Sequence, residues 1–80
     1  MDSKVYVEVE ARFTTEGILI PESFVWEDGV KYEVNSVKDV RRAASLKAGG
    51  AGQRYTCVVD GKEVYLFYED NNMWFMEKSA

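Results

Sequence analysis

A strict two-residue alternation opens the chain and limits what it can become. Val5, Val7, Val9, Ala11 and Phe13 fall on one side, and Tyr6, Glu8, Glu10 and Arg12 on the other. Successive side chains of an extended backbone leave opposite faces, so this period of two is that of a half-buried strand. Its β-branched residues favour the same state. The rest of the chain repeats the theme in short pieces. Thr14-Thr15-Glu16-Gly17 breaks the first strand. Ile18-Leu19-Ile20 is a short apolar run stopped by Pro21, which has no ladder donor and is expected at an edge or an end. Phe24-Val25-Trp26 resumes extended structure, and Glu27-Asp28-Gly29 turns it, Asp-Gly supplying the positive φ of tight hairpins.

Val30, Tyr32 and Val34 share a face, but Val37 is out of phase. A bulge near Asn35-Ser36 would reverse the parity and bend the strand. Residues 39–48 admit two readings. Asp39 can cap a helix carrying Val40, Ala43, Ala44 and Lys47 and ending at Gly49. Alternatively a strand runs to about Arg42 and an irregular loop follows, and this second reading is favoured. Gly49-Gly50-Ala51-Gly52 is expected as loop. Tyr55 to Val59, Lys62 to Tyr68 and Met73 to Glu77 read as strands, the first two joined through Asp60-Gly61 as a two-residue hairpin. Short strands at such spacing predict one all-β domain over residues 1–80: a small, strongly bent, partly open barrel of about five or six antiparallel strands.

Composition narrows the chemistry. The chain has 80 residues, no histidine and one cysteine. A Ser-His-Asp or Cys-His site within one chain is thereby excluded, as are an intramolecular disulfide and a Cys-rich zinc site. The single thiol fits a reducing, cytoplasmic setting. No signal peptide is visible at the start, and the apolar runs are far too short for a membrane helix. No cofactor and no metal are expected, and an enzymatic role is not expected either. The net charge of −4 hides an uneven spread: residues 38–54 hold five bases and one acid, between two acidic segments.

Two sets of residues invite binding. Lys38, Arg41, Arg42, Lys47 and Arg54, with Tyr55 beside them, are the nucleic-acid or anion-binding candidates, since small barrels hold single strands with a basic patch and stacking aromatics. The plainer reading is that these charges solubilise a loop or pair with the protein's own carboxylates. If Arg41 and Arg42 are neighbours on one strand, they point to opposite sides and the patch is split. Trp26, Tyr65, Phe67 and Trp74 are the protein-interaction candidates, with the two tryptophans as walls of an exposed groove. The plainer reading is core, because a chain this small needs most of its large side chains to fold. In Tyr65-Leu66-Phe67-Tyr68 and Met73-Trp74-Phe75-Met76, apolar residues fall on both strand faces. Something must cover the second face, either a crossing strand or a second copy in a homodimer. Cys57, in phase with Tyr55 and Val59, reads as an inert buried thiol.

From Pro21 onward the chain resembles short bacterial proteins of unknown function. The pattern is Pro-x-x-Phe-x-Trp-x-x-Gly, carried by Pro21, Phe24, Trp26 and Gly29, then Tyr32-x-Val34, a stretch around Val37 to Arg41, the Arg54-Tyr55 strand, and a last aromatic hairpin with Tyr65-Leu66-Phe67 and Trp74. It is similar in outline to uncharacterised SH3-like β-barrel domains, some encoded near DNA-repair polymerases. The resemblance implies a fold and carries over no catalytic residue. The expected function is a non-catalytic protein-interaction or accessory module with a protein partner or a second copy. The alternative is a nucleic-acid-binding accessory domain using residues 38–54. No membrane role is expected.

Overall fold

The structure is a computed structural model that describes residues 4–45 and 50–78. Seven strands form one antiparallel sheet: β1 (Lys4–Phe13), β2 (Leu19–Val25), β3 (Lys31–Glu33), β4 (Ser36–Ser45), β5 (Gly50–Val59), β6 (Lys62–Tyr68) and β7 (Trp74–Glu77). Their spatial order is β3-β2-β1-β7-β6-β5-β4, curled into a half-barrel. The described residues include no helix, and so none long and apolar enough to cross a membrane.

Turn chemistry explains the connections. Val59 and Lys62 are paired across Asp60 and Gly61, both at positive φ, which makes the two-residue turn that the Asp-Gly pair specifies. Three other hairpins share one wider design. In each, the residue opening the turn binds the residue four positions on: Thr14 N–H to the Ile18 carbonyl, Trp26 to Val30, and Glu69 to Met73. The position before the closing residue is at positive φ, held by Gly17, Gly29 and Asn72. Such loops need a left-handed residue to bring the strands back into register, and glycine or asparagine takes that conformation at least cost.

The expected five or six strands become seven because the stretch beginning at Val30 divides at Val34-Asn35. β3 and β4 lie on opposite edges of the sheet and are joined by those two residues alone. The bulge falls slightly later than expected, between Val37 and Asp39. Pro21 does not end its strand. It sits inside β2, opposite Ala11, where the β1–β2 register shifts, and β3 covers only Ser23 to Val25 of β2. The missing donor is thus placed where no ladder partner waits.

Residues 50–52 are strand rather than loop, and β4 extends to Ser45 instead of ending near Arg42. The glycines serve a close approach instead of a turn. A Cβ on Gly52 would lie directly against the Tyr68 carbonyl oxygen. There the long β4–β5 hairpin rides over the end of β6. At this end of β4 the chain reaches across the sheet, for Ser45 Oγ donates to Glu77 Oε2 at 2.6 Å although β5 and β6 separate their strands. Lys47 and Gly49, the first residue of the expected loop, lie outside the described residues.

The concave face holds the main core: Phe24, Tyr55, Cys57, Val59, Leu66, Trp74 and Met76. Tyr55 spans the barrel, its hydroxyl donating to the Leu19 carbonyl at 2.8 Å. The convex face carries a second aromatic layer in which Phe67 and Phe75 stack with centroids 4.8 Å apart. They are 1% and 0% exposed. Tyr6 and Lys4 lie against Phe75, and Tyr65 lies edge-on to Phe67, so side chains of the same chain contribute to covering this second apolar face. Gly52→Ala tests the crossing of the β4–β5 hairpin over the end of β6. It should destabilise the domain by about 1–3 kcal/mol through overpacking against backbone, read as a lowered urea midpoint, whereas Ala51→Gly should cost much less.

Candidate functional site

Sheet curvature leaves an apolar groove at one mouth of the half-barrel. Its first wall is the β2–β3 hairpin. The Glu27-Asp28-Gly29 turn fixes a register in which Phe24 faces Tyr32, and their rings stack 5.5 Å apart. Trp26 stands at the base of the same turn, half-buried. The opposite wall is the β5–β6 hairpin, contributing Val59, Lys62 and Val64, with Met76 between the walls. The groove has a volume of about 360 Å³ and is lined mainly by apolar atoms. Concave, mostly apolar sites with a few polar groups at the rim are the usual form of a binding pocket. Lys62 at the rim makes no ion pair among the described residues.

The expected tryptophan-walled groove is therefore corrected in part. Trp26 lines a groove, but Trp74 is a core residue packed between Tyr55 and Tyr68, with ring centroids 5.2 and 4.7 Å away. Phe67 is likewise interior. Tyr65, on the convex face with its ring edge-on to Phe67, is 40% exposed. The true partners of Trp26 are Phe24 and Tyr32. The sequence signal for them was present, since a turn centred on Asp28-Gly29 brings the flanking aromatics together.

The basic residues do not converge. Arg41 pairs with Arg54 across β4 and β5, while Arg42 pairs with Gln53 and so faces the other side. Lys38 is bound to Glu63 at 2.6 Å, Arg41 to Asp39 at 2.7 Å, and Arg42 lies 3.4 Å from Asp70. Arg54 lies over the Tyr65 ring, 4.6 Å from its centroid, and its buried Nε has no hydrogen-bond partner. Directly opposed arginines repel. Asp39 relieves this, and its carboxyl is held below the ordinary value by the bond from Arg41, with Arg54 adding to the field. Tyr55, expected as a stacking platform, is buried with its hydroxyl engaged inside the barrel.

No protein-family model, curated protein or solved structure matches the chain. Its chemistry must be read from these residues alone. Burial pushes the Cys57 thiol up to about 11, far from the range of a nucleophile at neutral pH. Among the described residues, no three His, Cys, Asp or Glu side chains come close enough to hold a metal ion. On the convex face Lys4 donates to Glu69 at 2.7 Å and Tyr6 to the same carboxylate at 2.9 Å. Lys4 also lies over the Phe75 ring, 4.5 Å from its centroid, so this cluster reads as a lid on the second aromatic layer.

Two measurements check these environments. A disulfide reagent at mildly alkaline pH should modify Cys57 only as fast as the domain unfolds. For Glu69, Lys4 first and then Tyr6 hold the carboxyl below its ordinary value. A folded-state pKa below the unfolded one stabilises above the unfolded value, and the gain is lost as pH falls through the folded one. The melting temperature of the native protein should thus fall more steeply than that of Glu69→Gln between about pH 5 and pH 3.

Proposed function

We propose that the chain is a non-catalytic binding module that holds an extended segment of another protein by one bulky apolar side chain. The observation that carries this reading is the groove between the β2–β3 and β5–β6 hairpins, with Phe24, Trp26 and Tyr32 on one wall and Asp60, Lys62 and Glu77 supplying its charged lining. Rigid aromatic walls give large contact area at little entropic cost and commonly dominate binding energy. Lys62 shares the lining with Asp60 and Glu77, so the apolar anchor rather than charge would select the partner. On the same reading the half-barrel is of the SH3-like kind suggested by the Pro21, Phe24, Trp26 and Gly29 pattern, from a cytoplasmic bacterial protein. A nucleic-acid role for residues 38–54 draws less support, because the register divides Arg41 from Arg42 and three of the bases already face carboxylates.

Selection from a random peptide library displayed on phage tests the groove. Enriched peptides should share a large apolar residue. Trp26→Ala, shown to fold by its denaturation curve, should weaken a selected peptide at least about tenfold. Tyr65→Ala, on the opposite face, should leave the affinity unchanged. Peptides that bind equally well to the Trp26→Ala protein would place the site elsewhere.

A further inference from the structure

The basic segment has a second property that the groove does not use. β4 is a ten-residue edge strand paired only with β5 among the described residues. Its middle is open to solvent: Val40 is 41% exposed, and Arg41, Arg42 and Ala44 are exposed as well. The other edge of the sheet, β3, is only three residues long. A long free edge presents a row of unpaired backbone donors and acceptors, and natural sheets cover or disrupt such edges.

We propose that the free edge of β4 is a self-association surface, on which a second copy of this chain pairs antiparallel about a two-fold axis at Val40. In an isologous pair every contact occurs twice, so a register can be tested by its charges. Centring the axis on Asp39, Arg41 or Arg42 sets identical charges face to face, which destabilises a ladder. Upstream, the bulge between Val37 and Asp39 interrupts regular pairing. Downstream, Ser45 is drawn over the sheet to Glu77, so the strand is no longer a straight edge there. Centring on Val40 sets Asp39 of each copy against Arg41 of the other, two opposite-charge pairs on one face, and brings the exposed Val40 side chains together on the other. The two residues of every pair then have equal parity, so amides that point outward meet amides that point outward.

One like-charge pair arises in this register, Lys38 against Arg42 of the other copy. Both are already attended by carboxylates of their own chain, Glu63 and Asp70. Asp39 and Arg41 also bind each other within one strand at 2.7 Å, so either can turn toward the second copy without being stripped of charge compensation. The surface lies apart from the groove: none of residues 38–44 lines it. It therefore does not depend on the groove reading.

Sedimentation velocity over a concentration series at low and high salt tests the proposal. The native protein should self-associate to a dimer, more weakly at high salt. Asp39→Lys and Arg41→Glu should each lose association by about tenfold or more, because each makes both cross-copy pairs like-charged. An equimolar mixture of the two variants should recover a dimer. In the mixed pair the new lysine at position 39 meets the new glutamate at position 41, and the native Arg41 meets the native Asp39. The broken ion pair within each strand is not repaired by mixing, so a merely structural role for these residues predicts no recovery. A native protein that stays monomeric throughout, a dimer indifferent to both charge reversals, or variants that fail to recover on mixing would each overturn the proposal.

Discussion

The two residues between β3 and β4 govern the shape of this molecule. Strands β3 and β4 are the opposite edges of a seven-stranded sheet. Laid flat, those edges would stand about 29 Å apart, at about 4.8 Å per strand. From Glu33 to Ser36 the chain can reach only about 11 Å. The sheet must therefore curl until its edges nearly meet, and the curl creates an inside where Phe24, Tyr55, Leu66 and Trp74 can leave water. Because β3 is short, the seam is not laddered along its length. Tyr55 bridges the interior to the Leu19 carbonyl there, and the incomplete closure leaves the mouth in which Trp26 sits.

Curling alone does not account for the aromatic content of the chain. A single sheet with one buried face would leave Phe67 and Phe75 in water. The molecule answers with the length of β4 and β5. Their hairpin overruns the end of β6, and glycine at position 52 lets it pass the Tyr68 backbone. The Ser45–Glu77 bond then ties the last residue of β4 to β7. Lys4 and Arg54 complete that layer by placing their charged groups over the rings of Phe75 and Tyr65. A domain too small for a thick core thus obtains two thin ones on either side of the same strands.

What the sequence reveals follows from the range of each signal. Local turn chemistry is legible: Asp60-Gly61 gives its hairpin and Glu27-Asp28-Gly29 its turn, because φ preferences act within a few residues. The alternation of Val5 to Phe13 gives a strand directly. The burial of Cys57 follows from its phase with Tyr55 and Val59. Residues 50–52 mislead, because glycine signals both a loop and a close approach of backbones, and only the position of Tyr68 decides between them. Pro21 misleads for a similar reason, since whether its missing donor matters depends on how far β3 extends. The site was half legible. Trp26 was visible as a candidate, but its partners depend on register, and Trp74 looks identical in sequence while lying on the interior side. The division of Arg41 from Arg42 follows from strand geometry alone, whereas the carboxylates that attend them come from β4 and the β6–β7 loop.

The placement of β1 beside β7 has a consequence for how the molecule is made. Lys4 to Val7 pair with Trp74 to Glu77 in the interior of the sheet, with three strands on one flank and four on the other when each member is counted with its own side. The strands before residue 34 form one three-stranded meander, and those after residue 35 form a four-stranded one. Each meander is built from neighbours in sequence and can assemble locally, but the ladder that unites them closes a loop of nearly the whole chain, an entropically slow step. During synthesis, the first strand must wait with an open edge until the last has emerged. Joining the paired ends of β1 and β7, Lys4 and Glu77, by a short linker and opening the chain elsewhere would turn that latest contact into an early one.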